Sequence, residues 1–468
     1  MTDSIYKEII ELSDSLWDKP EIRLQENFAV EQFVKILKEE GFKVETDVYG
    51  FKTAIRAEYG SGQPVIGYLG EYDALPGLSQ RAECCLRDPL VNDGAGHGCG
   101  HNLLGSASLL AAILAKRFLE KKNKEGTVVF YGCPAEEGIS AKAWMVKAGG
   151  FKDLDAAFTW HPGNANMVMP CWALASIQKS YSYTGKAFHA AQAPEAGRNA
   201  LNAVQLLNIG ANFYREGMPK GTMFHFAIVD GGGDSVNIIQ EKAEIAVQIR
   251  GESFNDVKIV ADQLDIIADS AARMTGTECE KKFIRGCSDL LLNETLNNLI
   301  YDVFEKVGTD LIDDNDLKLA NDIRKTFNNQ DLDADVKYLK ECFETEGLDF
   351  KEIRNKPILD FLYPRKIIKH GKIASSDTGD VSQIVPLAHV QAACFAQGTR
   401  LHSWQLVAQG KAPLAHKAII KVGEVLSAAG IELIRDKDLM AKVKDEFKRR
   451  RASVEYVEAI PDGARLNK

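Results

Sequence analysis

Between Ile5 and Glu40 apolar residues return every three or four positions, the spacing of one helical face. The next two segments, FKVETDVYG and FKTAIRAEYG, alternate and end in glycine, which predicts strands. PVIGYLGEYDALPG reads as an apolar strand running into an acidic loop, and GAGHGCGHNLLG as a glycine-rich run ahead of a helix. TVVFYGCPAEEG is again a strand, followed by a helix from about Ser140 to Ala148 and the strand LDAAFTWHPG. Strands alternating with helices predict an α/β fold, a mixed sheet flanked by helices, with its chemistry at the C-terminal strand edge.

The pattern changes after Cys171. SIQKSYSYTGKAFHAA, a helix from Asn199 to Glu216, MFHFAIVDGGGDSVNIIQ, KAEIAVQIRG and a helix after Asn255 give the order strand, helix, strand, strand, helix. That order suits a small α+β domain over 175–290, inserted into a larger domain built from 1–174 and 291–468. Within the last part, residues from about Thr309 to Arg365 are charged and helix-prone, and predict a surface insertion.

Length and composition narrow the classes. At 468 residues two domains are expected, and 45% hydrophobic with 26% charged residues is ordinary for a globular chain. The net charge of -9 argues against non-specific binding to nucleic acid or an anionic membrane. The basic run Lys448 to Arg451 reads as a solvated helix face. The start shows no secretory pattern, and the apolar run from Leu103 to Leu114 is short and broken by Gly and Ser. Nine cysteines without a CxxC spacing suit a reducing compartment, so a cytoplasmic location is expected. DGGGDS has no following Lys, which removes a phosphate-loop reading.

Chemistry-bearing residues fall at the ends of the predicted strands: Glu71 and Asp73, Cys99 and His101, Glu136 and Glu137, then His161, with His402 late in the chain. A thiolate, imidazoles and carboxylates at one sheet edge are a ligand mixture for Zn²⁺ or Mn²⁺. The paired glutamates add a function: one can bind metal while its neighbour stays free as a general base. Two other readings compete. One is a cysteine hydrolase with Cys99 as nucleophile and His97 or His101 as base; the other is a non-catalytic partner subunit of a related hydrolase.

GEYDALPG, GHGCGHNLLG, GCPAEEG, TWHPG, GKAFHAA, DTGDVS and LHSWQLV, in this order, resemble the zinc or manganese metallopeptidases of the aminoacylase and carboxypeptidase type, in their amidohydrolase branch. The resemblance covers about residues 5 to 430 and is weakest in the charged insertion. It implies a catalytic domain with an inserted lid and dimerisation domain, and two metal ions held by Cys99, His101, Glu137, His161 and His402. Cys99 would bridge the ions and Glu136 would be base and proton shuttle. Many members have a histidine, in an HxDxxP motif, where this chain has Glu71. Asp73 would then sit behind the ligands and orient an imidazole. His189 would stabilise the oxyanion from across a dimer, and Asn237 and Arg250 would hold a substrate carboxylate, Arg through its planar fork. The implied reaction is hydrolysis of an N-acyl or aminobenzoyl amino acid, or of a small dipeptide-like amide. The implied partner is a second copy or a related chain.

Overall fold

A computed structural model describes residues 2–168, 172–309, 312–342, 349–365 and 372–466. The chain divides into two compact units. The first comprises Met1–Trp172, Leu291–Lys372 and Val381–Val454; the second comprises Ala173–Leu290, Ile373–Asp380 and Glu455–Lys468. The strands of four residues or more begin, in the first unit, with Lys43–Val48 (β1), Phe51–Ser61 (β2), Val65–Glu71 (β3), Gly126–Cys133 (β4), Ala156–Gly163 (β5) and Ala165–Val168 (β6). The second unit contributes Ala175–Thr184 (β7), Met223–Asp230 (β8), Lys242–Gly251 (β9) and Glu278–Cys287 (β10), and the chain returns with Leu359–Leu362 (β11) and Leu387–Ala393 (β12).

The first unit is built on one mixed sheet of order β1-β2-β4-β3-β5-β12-β6-β11. Its central strands β4, β3, β5 and β12 run parallel, with antiparallel pairs on either side. Parallel strands carry helices on both faces, and β3 and β4 are accordingly buried at every position. The helix His101–Lys122 packs against β3, β4, β5 and the helix Pro413–Arg435. It is longer than the run Leu103 to Leu114 suggests, and by length and composition alone could cross a membrane. Instead most of it is buried in the unit, and Lys116 reaches Glu40 and Glu120 at the rim. Gly105 permits the close fit, because a Cβ there would lie 2.5 Å from the Glu71 carbonyl oxygen and 2.8 Å from the Phe33 ring.

The N-terminal helical pattern is divided into Thr2–Asp18 and Asn27–Glu39, with Pro20 in the break. Glu21 covers the second start, its carboxylate accepting from the N–H groups of Phe28 and Ala29 at 3.0 Å. Glu26 turns inward: Oε2 accepts from Thr53 Oγ1 and Oε1 from the Ala135 N–H, both at 2.9 Å. It thereby ties the helix start to β2 and to the loop after β4.

The charged segment expected as a surface insertion is part of the sheet and core. β11 pairs with β6, and the Asn166 side chain donates to the Leu359 carbonyl at 3.2 Å. Ala320 and Ile323, on the helix Asp314–Arg324, pack with Ile358, Ala396, Ala408 and Leu414. Buried apolar positions spread so thinly among many charges were too few to show this face in the sequence.

The second unit is a four-stranded antiparallel sheet of order β10-β7-β9-β8, accompanied by the helices Ala200–Tyr214 and Phe254–Thr275. The strand β10 lies outside the sequence-based expectation, because ECEKKFIRGC is largely solvent-facing and lacks an apolar alternation. The pieces 373–380 and 455–468, expected with the larger domain, group here instead. Asp380 accepts from the N–H and hydroxyl of Ser288 at 3.0 and 3.1 Å, and the Glu455 carbonyl accepts from Asn255 at 3.2 Å.

Burial, with the nearby Asp73, raises the Glu26 carboxyl from an ordinary 4.5 to about 7, against hydrogen bonds from the backbone and from Thr53. Between those values the folded chain keeps a proton that the unfolded chain has released, so stability falls as pH rises from about 4.5 to 7, by up to roughly 3 kcal/mol. Glu26→Gln removes that fall. Urea unfolding of chelator-treated protein at pH ~5 and pH ~8 should show the variant gaining on the parent at the higher pH; equal differences at both pH values would refute the assignment.

Candidate metal centre

The four central parallel strands deliver every candidate donor to one edge. β3 ends on Glu71, with Asp73 two residues on, and the following loop brings back Cys99 and His101 at the start of the long helix. The loop after β4 carries Glu136 and Glu137 in the one-turn helix Glu136–Ile139. His161 lies near the end of β5, and His402 follows β12, just before the helix Trp404–Gln409.

Three of these positions depend on unusual backbone. Ala135 (φ +52°), Ser140 (φ +58°) and His402 (φ +59°) are left-handed without being glycine, each at a cost of about 1 kcal/mol or more. Such conformations persist where neighbours hold them: Glu26 takes the Ala135 N–H, and the His402 N–H donates to the Gly98 carbonyl at 2.8 Å. Gly100 (φ +76°) lets the chain enter the helix at His101 against Pro162.

The donor atoms form overlapping triads, each within 4.8 Å: Cys99, His101 and His161; Cys99, Glu137 and His402; Glu71, His101 and Glu136. The first two share only Cys99. Cys99 Sγ lies 3.3 Å from His161 Nε2, and Glu137 Oε1 lies 3.1 Å from His402 Nε2. Neighbouring groups orient the rings. His161 Nδ1–H donates to the Pro162 carbonyl at 2.8 Å, and His101 Nδ1–H to Asp73 Oδ1 at 2.9 Å. Asp73 Oδ2 also accepts the Glu137 N–H at 3.0 Å, so one buried carboxylate fixes two candidate ligands. His101 Nε2 sits 3.1 Å from Glu71 Oε2 without hydrogen-bond geometry.

Charge in the cluster is tightly coupled. Burial opposes ionisation of Glu137, but His402 and His101 bring its carboxyl down to about 2. Burial, with Glu137 adding to it, pushes the Cys99 thiol well above its ordinary range. Burial pulls His101 down, yet Asp73 and Cys99 hold it well above an ordinary histidine. Burial also works against Glu71, which is lowered because Lys142 Nζ stands 2.6 Å away and His101 lies beside it. A thiol, carboxylates and oriented imidazoles crowded in a buried space fit a pair of divalent cations.

His97, the imidazole before Cys99, does not join these triads. Its Nε2–H reaches the Leu16 carbonyl at 3.2 Å, and burial lowers its pKa to about 3. Held on Leu16 outside the triads, it is not placed as the base of a cysteine hydrolase. Sequence reasoning missed Lys142, Glu26 and His389. Lys142 looked like one more polar position in SAKAWMVK, yet it is entirely buried on Glu71. His389, on β12, is lowered to about 3 by burial and His161.

His189, Asn237 and Arg250 belong to the second unit. The Ala190 N–H donates to the Asn237 carbonyl at 2.9 Å, so His189 and Asn237 lie on adjoining loops, both exposed. His189 Nδ1 accepts the Ala191 N–H at 3.1 Å, which leaves the proton on Nε2. Arg250 stands near the far end of β9, half-buried, donating to Ser375 Oγ at 2.8 Å. The run from Lys242 to Arg250 separates it from those loops by roughly 25 Å of strand.

The sequence profile of Peptidase family M20/M25/M40 matches residues 67–390. One subunit of the p-aminobenzoyl-glutamate hydrolase of Escherichia coli (strain K12) is 39% identical over 437 residues, 93% of this chain and 91% of that protein. The Xaa-Arg dipeptidase of Homo sapiens is 25% identical over 468 residues, 96% of this chain and 91% of that one. Among solved structures, one from methicillin resistant Staphylococcus aureus superposes with a TM-score of 0.62 at 17% identity, over 92% of this chain and 97% of that one. A dinuclear metal binding peptidase of Bacillus subtilis superposes at 0.54 and 16% identity, over 91% and 99%, so both share the two-part fold. By the profile and the 39% identical relative, the chain belongs to Peptidase family M20/M25/M40 and is a metal-dependent hydrolase of amide bonds.

Proposed function

We propose that the protein cleaves the amide bond between an aminobenzoyl or other N-acyl group and an amino acid, with glutamate the leading candidate, in the cytoplasm. Cys99, His101, Glu137, His161 and His402 would hold two divalent ions, Zn²⁺ or Mn²⁺. The observation that carries this reading is the pair of triads that share only Cys99, with Glu136 beside them. The 39% identical relative is named for p-aminobenzoyl-glutamate, which supports the substrate class.

Bound there, the ions supply Lewis acidity, which lets water be deprotonated near neutral pH and polarises a carbonyl. Glu136 takes the proton from the attacking water on a carboxylate oxygen and returns it to the leaving nitrogen. His189 donates its Nε2–H to the developing oxyanion. Asp73 keeps the His101 ring and the Glu137 backbone in register, and Arg250 and Asn237 bind the substrate carboxylate.

Arg250 and the His189–Asn237 loops lie too far apart in one copy to meet one small substrate. That supports a dimer in which a second copy of this chain supplies His189 and Asn237. The edge strand β8 supports it too, since Phe226, Ile228 and Val229 are exposed there, with Val236 and Ile238 nearby. The intact donor set weighs against a non-catalytic partner subunit.

Metal-reconstituted protein should release p-aminobenzoate from p-aminobenzoyl-glutamate with a higher kcat/KM than it shows on N-acetyl amino acids or Xaa-Arg dipeptides. A preference for the dipeptides would overturn the substrate assignment. Glu136→Gln should keep metal and fold while kcat drops at least ~10³-fold, since an amide cannot accept the proton. Loss of metal in that variant would make Glu136 a ligand.

His189→Ala should lower kcat by ~10²-fold with metal content unchanged. Mixing it with Glu136→Gln under subunit exchange should restore activity, because one site of each mixed dimer is then complete. Proven exchange without recovery would place His189 in its own chain's site; a monomer in sedimentation, or a need for a related chain, would remove the homodimer.

A further inference from the structure

The segment between the second unit and β12 was the least readable part of the chain, and its charges converge on the two loops that carry His161 and His402. The helix Asn329–Cys342 presents Asp335 inward. Asp335 Oδ1 accepts from Asn164 Nδ2 and Oδ2 from Gln397 Nε2, both at 2.7 Å, and the Gly398 N–H also bonds to it. Asn164 lies three residues after His161, and Gln397 five before His402.

Neighbouring contacts fix the same stretch. Asp331, one turn earlier on the helix, pairs with Arg400. Arg324 donates to the Gln397 side chain, to its carbonyl at 3.1 Å, and to the carbonyls of Lys356 and Arg354 at 2.7 Å. Gly398 (φ +93°) turns against Leu332 and Phe327, where a Cβ would lie 2.6 Å from the Leu332 side chain. Gln397, Gly398 and Arg400, on the approach to His402, are therefore all held by this segment. His402 has the strained backbone and a half-exposed ring, so its position comes from its surroundings rather than from its own preference.

We propose that the helix Asn329–Cys342 is a brace for the metal centre, and that Asp335 is a positioning residue that clamps the His161 and His402 loops to each other through Asn164 and Gln397. The proposal rests on the ligand assignment above. Two loops from non-adjacent parts of the chain must present nitrogens to the same pair of ions, and a carboxylate that bonds one amide on each fixes their separation. Altering the partners behind metal ligands typically weakens metal affinity about 10- to 100-fold.

The test is metal release from the holoenzyme into excess chelator, followed with a metal indicator, with the melting temperature of the chelated protein measured alongside. Asp335→Asn and Asn164→Asp should each release metal at least ~10-fold faster, the first by losing one acceptor and the second by facing two carboxylates. The double variant D335N/N164D exchanges amide and carboxylate, restores the bond in the opposite sense, and should return release to within ~3-fold of the parent. Q330A, on an exposed position of the same helix, should release at the parent rate. His161→Ala and His402→Ala test the ligand assignment separately: if they keep full metal, that reading fails. If they lose metal while Asp335→Asn releases at the parent rate, or if the exchange fails to restore release, the brace is overturned.

Discussion

Glu71, Asp73, Cys99, Glu136 and Glu137 bring four carboxyls and a thiol to one sheet edge, and the electrostatic cost of that crowding governs the structure around them. Two unit charges about 4 Å apart interact by roughly 4 kcal/mol at an effective dielectric of ~20. A few unrelieved pairs would consume the whole of a domain's net stability of about 5–15 kcal/mol. Relief therefore has to be built in. Lys142 is drawn into the interior on Glu71, His101 lies between Glu71 and Asp73, and the Glu137 N–H is turned onto Asp73. Divalent cations can supply the remaining counter-charge, because ligating them takes the thiol and the carboxylates in their deprotonated forms.

Topology makes the crowding attainable. Four adjacent parallel strands end at one edge, so loops from residues 71, 133, 163 and 393 start within a few strand spacings of each other. The long helix that begins at His101 points its positive end toward the acidic cluster. Gly105 lets that helix lie on the end of β3, so the glycine after NLL matters as much for the site as those around Cys99.

The sheet, the inserted unit and the clustering of the candidate donors were legible because each has a local signature: alternation, a glycine-rich turn, a thiol between imidazoles. What was hidden is non-local. Lys142 pairs with the distant Glu71, Glu26 with a backbone N–H 109 positions later, and Asp335 with partners on both sides of the inserted unit. None of these charges differs in sequence from a solvated one. β10 and β11 escaped for a related reason, since edge strands need bury only part of one face and so need little apolar patterning.

The histidines show how one side chain acquires opposite roles from its second nitrogen. At His101 and His161, Nδ1–H donates to Asp73 and to the Pro162 carbonyl, so Nε2 is the nitrogen each ring turns toward the donor cluster and, once deprotonated, toward a cation. At His189, Nδ1 instead accepts a backbone N–H, so Nε2 carries the proton and the ring is a donor. At His97, Nε2–H donates to a carbonyl in the interior, and the ring stays outside the donor triads. Composition distinguishes none of these four, and spacing separates only His189 from the rest. The distinction lies in whether the group beside each ring donates or accepts, which the fold decides and the side chain then obeys.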